Sequence, residues 1–600
     1  MDNERKVVII GGGPAGLTAG YELTNHNIRP MVLEKSDKVG GIARTDEYKG
    51  FRFDMGGHRF FTKAEEVNRL WREVLGTEFL RRPRLSRIYY KRKFFNYPLK
   101  PQNVVKGLGI LESFLIICSY LRWQILPFRQ EETFEQWVTN RFGRRLFLTF
   151  FKTYTEKVWG IPCSELKAEW AAQRIKDLSV KSLIISMFFK PKKTIKTLIE
   201  EFEYPRLGPG MMWEAFHRAI ENRRGTVRLN SDVVRIRRNG KRIEGIAIRS
   251  GDGEEEIVGT DYISSMPVTE FIKKLDPPAP PEVLDSAGKL TYRDFLTVCL
   301  IIDKEELFPD NWIYIHEPGV QVGRIQNFKN WSPDMVPDQS KTSLGLEYFC
   351  TEGDDLWTRP DDQLIEQAKQ EVERIGLAQY KDCEDGCVVR VPKAYPVYDA
   401  DYRNYLAVVR DFVNLFENFQ TVGRNGLHRY NNQDHAMLTG IYAVRNLVLG
   451  EKNDLWDVNT DQEYHEEVED RAPDGLAPVP RPSFEGLLGA LSTGLPRLNR
   501  QALGAAVGTI SACVLALATA ILCLRGGEHV GAYLSLLGQY FPGYQVSWTG
   551  VPLGLFYGFV VGFIGGWSYA LLRNMTIFLL LASMRRSVER QALRQLFEFV

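Results

Sequence analysis

Gly11, Gly13 and Gly16 form a GxGxxG turn inside "KVVIIGGGPAGLTAGYELTNHNIRPMVLEK", and the acid Glu34 closes the stretch. An apolar run precedes the turn, Pro14 and Ala15 open a helical pattern after it, and Lys35 follows the acid. Gly11 allows a tight turn. Gly13 lets the backbone approach a pyrophosphate, and Gly16 lets helix and strand pack closely. The helix N-terminus then faces phosphate, and Glu34 can accept hydrogen bonds from a ribose. The expectation is a dinucleotide site. No second GxGxxG occurs, so no separate nicotinamide domain of that type is expected.

A second stretch, "YTEKVWGIPCSEL", sets Tyr154, Lys157 and Trp159 just before a proline. Two fates are open to such aromatics: a packed corner of the core, or the wall of a site for a flat ring.

Three further stretches resemble FAD proteins of the amine oxidase class. In "KVGGIARTDEYKGFRFDMGGHRF" these are Gly40, Gly41, Arg44, Thr45, Gly56, Gly57 and His58. "DYISSMPVTEF" resembles the return to the FAD domain, and "QTVGRNGLHRYNNQDHAMLTGIYAVRNL" the closing motif. The resemblance implies FAD as cofactor. It places Gly41, Arg44, Thr45, Gly56, Gly57, His58, Val233, Gly423, Arg424, Asp434, His435 and Ala436 around it, beside Gly11, Gly13, Pro14, Ala15, Gly16, Glu34 and Lys35.

The order of the motifs also resembles UDP-galactopyranose mutase. "YTEKVW", "GGHRFFT", "FFNYPL", "KLTYRDF", "LEYF" and "GRNGLHRY" fall in that family's sequence. The resemblance implies a diphosphate held by Arg174 and Arg293, with Tyr154, Trp159, Arg324, Tyr348 and Tyr430 on the substrate side. It gives His58, Arg174, Arg293, Tyr348 and Tyr430 catalytic positions. Arginine suits such a ligand because its planar fork matches phosphate oxygens. Val322 and His428 stand where that family tends to carry an aromatic and a tyrosine.

Two activities compete. One is mutase-like work by reduced flavin on a nucleotide-linked or polyprenyl-phosphate-linked sugar, with an external electron donor such as NAD(P)H. The other is ordinary redox on a lipidic substrate, as the resemblance to protoporphyrinogen oxidases and phytoene desaturases implies. A membrane flavoprotein without catalysis is a third.

The elements that must position these residues are legible in outline. The 600 residues carry a net charge of +2, which gives no footing for a nucleic-acid partner. Eight cysteines are scattered; Cys383 and Cys387, in "CEDGC", lack a second ligand pair for zinc and are expected in a loop. No metal site is expected. The N-terminus, "MDNERKVVII", has no apolar signal region, which predicts a cytoplasmic first domain.

Leu503–Leu524 and Val551–Leu572 each run 22 residues without a charge. Each suffices for a hydrocarbon core of about 30 Å. Arg497 and Arg500 precede the first run, and Arg573, Arg585, Arg586, Arg590 and Arg594 follow the second. This pattern predicts a two-span inner-membrane protein with the catalytic body and both termini in the cytoplasm. Gly558, Gly562 and Gly566 form a small-residue stripe, a candidate face for a homo-oligomer.

The expected fold is α/β. A Rossmann-type FAD-binding domain (1–100, 226–265 and 416–470) carries a helical insertion (101–225) and a β-sheet substrate domain (266–415). A proline-rich linker (471–500), a transmembrane hairpin (501–584) and a basic tail (585–600) follow. The apolar stretch at 107–128, broken by Glu112 and Arg122, is expected as a buried or membrane-surface helix.

Overall fold

The computed structural model describes residues 5–97, 99, 101–168, 201–251, 253–399, 401–459, 498–526 and 531–597. The chain divides into two units, Met1–Asp470 and Arg471–Val600.

The larger unit is built around a five-stranded parallel sheet. Its order is Phe419–Thr421, Asp261–Ser264, Val7–Ile10, Met31–Leu33, Thr226–Arg228. Val7–Ile10 is buried throughout, as a central parallel strand covered on both faces must be. One face packs under the helices Pro14–Asn25, Gly210–Asn222 and Gln433–Leu449, through Leu17, Tyr21, Trp213, Phe216 and Met437. The other face meets a four-stranded sheet and the helices Pro281–Lys289 and Tyr402–Val413.

A seven-stranded sheet carries the rest of the body. Its order is Cys383–Pro396, Tyr292–Ile302, Thr342–Cys350, Arg324–Asn327, Trp312–Ile315, Ser86–Tyr90, Lys93–Asn96. The last two strands come from a segment that the sequence pattern assigned to the FAD-binding domain. "CEDGC" is no loop: it begins the strand Cys383–Pro396, and Cys387 stands opposite Cys299. Alternation decides which residues this sheet offers to a site. In Thr342–Cys350, Leu344, Leu346, Tyr348 and Cys350 face the core under the helix Asp361–Ile375, and Glu347 faces the other way.

The second unit is a helical hairpin, Arg500–Arg525 and Gly550–Phe597. Arg500–Arg525 and the Gly550–Thr576 part of the second helix are long and apolar enough to cross a membrane. The second helix runs on to Phe597, so the expected tail is helical backbone over that length. The glycine stripe packs within the hairpin. A Cβ at Gly558, Gly562 or Gly566 would fall 2.7–2.8 Å from Ser511, Ala512, Val507 or Leu503 atoms. That face, expected at a homo-oligomer contact, packs instead on the helix Arg500–Arg525 of the same chain.

Candidate active site

Two adjoining cavities lie in the larger unit. The larger, about 430 Å³, runs along the carboxyl ends of the parallel strands, where open α/β sheets bind ligands. Gly11, Gly13, Pro14, Ala15, Glu34, Lys35, Gly41, Arg44, Val233, Gly423 and Ala436 line it. The smaller, about 100 Å³, is lined by Gly56, Gly57, Arg59, Phe295, Arg324, Tyr395, Asp434 and His435 among others. His58, Arg424 and Gln433 reach both.

The glycine turn is built for close approach. Gly11 holds φ +101°, and a Cβ there would lie 2.2 Å from Ser265 Oγ. At Gly16 it would lie 2.0 Å from the Gly11 carbonyl. At Gly13 the nearest atom is 3.9 Å away, so its front is open to the cavity. Glu34 is buried, and its Oε2 accepts the Gly12 amide at 2.7 Å. Its Oε1 accepts the amide and hydroxyl of Ser36.

These features fit a flavin dinucleotide. Three polar atoms on the larger cavity's wall, Asn425 Oδ1, Asn431 Nδ2 and Gln433 Oε1, are buried with no partner among the described residues, the state of groups that await a polar ligand. Asn432 caps the helix Gln433–Leu449, and its own amide donates to His435 Nδ1 at 3.2 Å. That end of the helix borders both cavities.

His58 is neutral. Burial, with Arg424 nearby, holds its pKa down to about 4, against the raising effect of its carbonyl partners. Nε2 lies 2.9 Å from the Met55 carbonyl and 3.0 Å from that of Ile42, so the proton sits on Nε2 and Nδ1 is left as an acceptor.

The smaller cavity is cationic and aromatic. Arg424 donates to the carbonyls of Asn431 and Ala394, both at 2.9 Å, and forms no ion pair among the described residues. Its guanidinium lies 4.6 Å from the Tyr430 ring, which stacks on Tyr395. Arg324 forms a salt bridge of 2.6 Å with the fully buried Glu347, which also accepts from Gln326. Burial works against the Arg324 charge, but Glu347 outweighs it and the guanidinium stays charged.

The "YTEKVW" helix, Lys152–Trp159, resolves into a wall backing rather than a wall. Tyr154 stacks on His316 at 5.0 Å and meets Tyr314 edge-on at 5.3 Å. Trp159 is buried behind Tyr395, 6.1 Å between rings. Lys157 is structural: its ammonium donates to the carbonyls of Ile315, Glu317 and Val322 at 2.7–3.3 Å. Burial lowers its pKa to about 8.

Other expectations are displaced. Thr45 does not face the cofactor cleft: its hydroxyl donates to Asp54 at 2.9 Å and accepts the Gly210 amide at 3.0 Å, joining a hairpin to a helix. Tyr348 is on the core face of its strand, and its hydroxyl donates to Glu371 at 3.2 Å. Arg293 lines neither cavity. It lies against Gly160 and donates to the carbonyls of Val158 and Phe349 and to the Thr351 hydroxyl. Val322 is buried core. His428 is buried edge-on to Tyr292, 4.8 Å between rings. Arg174 lies outside the described residues.

Tyr395, Phe295 and Gln433 line the cavities and motif reading missed them, as it did Glu347, the buried partner of Arg324. The pattern "SLGLEYF" held the signal for one of them. Leucines at 344 and 346 put 348 on the core face and leave 347 to the site.

The parallel sheet, the glycine turn and the cleft at its strand ends define a dinucleotide-binding α/β protein with an adjoining cationic and aromatic cavity. Residues 14–429 match the family model for flavin containing amine oxidoreductases, and the chain belongs to that family as an FAD-dependent enzyme. It is 24% identical over 321 residues to an L-amino-acid oxidase of Bungarus fasciatus, covering 50% of this chain and 58% of that protein. An oxidase of Bothrops jararacussu gives 24% over 330 residues, 50% and 61%. The chain thus matches only about three-fifths of the length of these relatives. Among solved structures, reduced UDP-galactopyranose mutase superposes with TM-score 0.66 at 21% identity, over 76% of this chain and 99% of that one. A protein assigned as a protoporphyrinogen oxidase, from Exiguobacterium, gives 0.58 at 16%, over 75% and 100%. At these identities the likeness is one of fold.

Proposed function

We propose that the protein is a membrane-anchored flavoenzyme acting on a phosphate-bearing sugar, nucleotide-linked or polyprenyl-linked, through reduced flavin. The observation that carries this reading is the character of the smaller cavity. Three guanidiniums (Arg59, Arg324, Arg424) and the Tyr395–Tyr430 stack line it, where a purely lipidic substrate would call for an apolar tunnel. Reduced flavin supplies the electron-rich centre when bound, and an external donor such as NAD(P)H keeps it reduced.

The chain's own residues bind and orient. Glu34 and the glycine turn hold the ribose and pyrophosphate. Arg424 has no acid to neutralise it among the described residues and meets the anionic end of the substrate. Tyr395 and Tyr430 offer the sugar a flat face. His58 holds its proton at Nε2 and presents Nδ1 as an acceptor. Arg59 and Arg324, which line the same cavity, serve the nucleotide or lipid-phosphate side, and Trp159 backs the Tyr395 ring from behind. The two apolar helices anchor the body, with both termini cytoplasmic.

The test is product analysis. Detergent-purified protein with reduced flavin is offered UDP-galactopyranose and polyprenyl-phosphate sugars. An isomeric product with no net consumption of electron acceptor supports the proposal. Acceptor reduction in step with substrate loss, and no isomer, overturns it in favour of an oxidoreductase.

A further inference from the structure

The helix Ile110–Ile125 resolves the choice left open by its composition, because only one of its faces is buried. Ser113, Ile116 and Tyr120 pack inward. The opposite stripe, Leu111, Phe114, Cys118, Leu121 and Ile125, follows the helical repeat and is exposed. Leu111 and Ile125 are 74% and 72% exposed, as core side chains never are. No charge interrupts the stripe.

We infer that this face lies in the outer layer of a lipid bilayer as an in-plane helix and not as a third span. A straight span is excluded, because the helix meets its neighbour, Gln102–Leu108, at 119°, and the buried inner face of Ile110–Ile125 favours the in-plane placement. Gly109 makes that corner with φ +91°. Both ends of the stripe carry exposed cations suited to anionic headgroups. Lys93 is fixed at the corner by donating to the Gly107 carbonyl at 2.7 Å, beside Lys106, and Arg122 and Arg129 stand at the other end. Two of the nearby acids are tied up: Glu112 pairs with Arg145 and Glu131 with Arg141, both at 2.7 Å.

The occupant is lipid because the same chain carries two helices able to span a membrane, so the body never leaves its vicinity. This part rests on the anchoring proposed above. The consequence for substrate is direct. Ile116, on the inner side of the helix, belongs to the same packed cluster as Trp159, Phe295 and Tyr395. The helix in the lipid is thus backed by the wall of the smaller cavity, which favours a lipid-linked substrate over a free nucleotide sugar.

Cys118 provides the test. The full chain is reconstituted in vesicles containing anionic phosphatidylglycerol and acyl-chain spin-labelled lipid. A small fluorophore is placed on Cys118, with Cys387, Cys513 and Cys523 replaced by serine. A parallel protein carries it on Cys513, inside the first apolar helix, with Cys118, Cys387 and Cys523 replaced. Both labels should lose most of their emission to the lipid quencher. Quenching at Cys513 but not at Cys118 overturns the inference and leaves the anchoring intact. Absence of quenching at both overturns the anchoring as well. Phe114→Asp with Leu121→Asp, on an exposed face, should keep the flavin spectrum and abolish quenching at Cys118. Quenching that persists in this variant also overturns the inference.

Discussion

The rings of Tyr395 and Tyr430 lie parallel, 5.5 Å apart and 7° from coplanar, although one ends a strand of the seven-stranded sheet and the other sits on the closing loop of the dinucleotide fold. Arg424 covers the outer ring. The stack joins the two halves of the body on the wall of the smaller cavity, and Arg424 beside it lines both cavities. Arg424→Met should therefore act on both. We expect reduced flavin retention and a loss of phosphate-ligand affinity of about one to two decades, from a charge-assisted bond of roughly 1.5–3 kcal/mol. Titration of the reduced-flavin spectrum reads the second effect, and unchanged affinity would reject the role.

The glycines of the turn should separate folding from loading. Gly16→Val drives a side chain into the Gly11 carbonyl, 2.0 Å from a Cβ, and should prevent folding. Gly13→Val meets no protein atom closer than 3.9 Å at its Cβ, so it should fold and purify colourless. Circular dichroism and flavin absorbance distinguish the two. A fully yellow Gly13→Val protein would contradict the pyrophosphate assignment.

Arg324 and Glu347 form a buried pair and should behave as one. Glu347→Gln alone leaves a buried guanidinium without its counter-charge and should cost about 3–5 kcal/mol. Arg324→Met with Glu347→Gln should recover much of that loss. Denaturant unfolding of the two singles and the double closes the cycle. Strict additivity would show that the pair is not coupled.

Acid should destabilise the body between pH 6.5 and about 4. Burial holds His58 and His428 down to about 4 and His316 to about 3, from an ordinary 6.5. The unfolded chain therefore binds more protons in that window. Stability is full above pH 6.5 and falls as pH drops, on the order of 3 kcal/mol for each histidine. Asp54 opposes this. Burial raises its folded pKa to about 7, so it takes up its proton first in the fold and adds stability as pH falls from 7. Three histidines against one carboxyl leave a net loss, and unfolding curves at pH 7 and pH 5 test the sign.

Tyr348→Phe should leave ligand titration untouched. It removes one hydroxyl bond to Glu371 in the core, for roughly 0.5–1.5 kcal/mol of stability. A marked fall in ligand affinity would return Tyr348 to the site.

The cofactor side was legible in sequence because backbone geometry there admits few residues. Gly11 at positive φ and Gly16 against a carbonyl leave glycine no substitute, so the motif and the fold are one statement. Glu34 is tied to strand end and turn in the same way. The substrate side was less so. Which face a strand residue shows depends on pairing partners far along the chain: Tyr348 and Glu347 are neighbours in sequence and opposites in function. Tyr395 had no motif to mark it, because its position follows from strand register against Tyr292–Ile302. Thr45 lay in the right segment, but its hydroxyl answers Asp54 and Gly210. The two long C-terminal helices were legible from apolar length alone. Their packing needed the structure to show that the glycine stripe meets Leu503, Val507 and Ser511 of the same chain.

The parallel sheet places Val7–Ile10 beside Asp261–Ser264, and that strand beside Phe419–Thr421. Neighbours in space are thus hundreds of residues apart in synthesis. A nascent chain that has made the glycine turn still lacks the strand that flanks it and the helix Gln433–Leu449 that covers it. Contacts of such sequence separation form late and slowly. Through most of translation the apolar faces of the first strands have no partner, and a growing chain of this kind exposes surfaces on which chaperones and aggregation compete. The helix Gln433–Leu449, which borders the dinucleotide cleft, is among the last parts of the body to be made, and the apolar helix Arg500–Arg525 follows it.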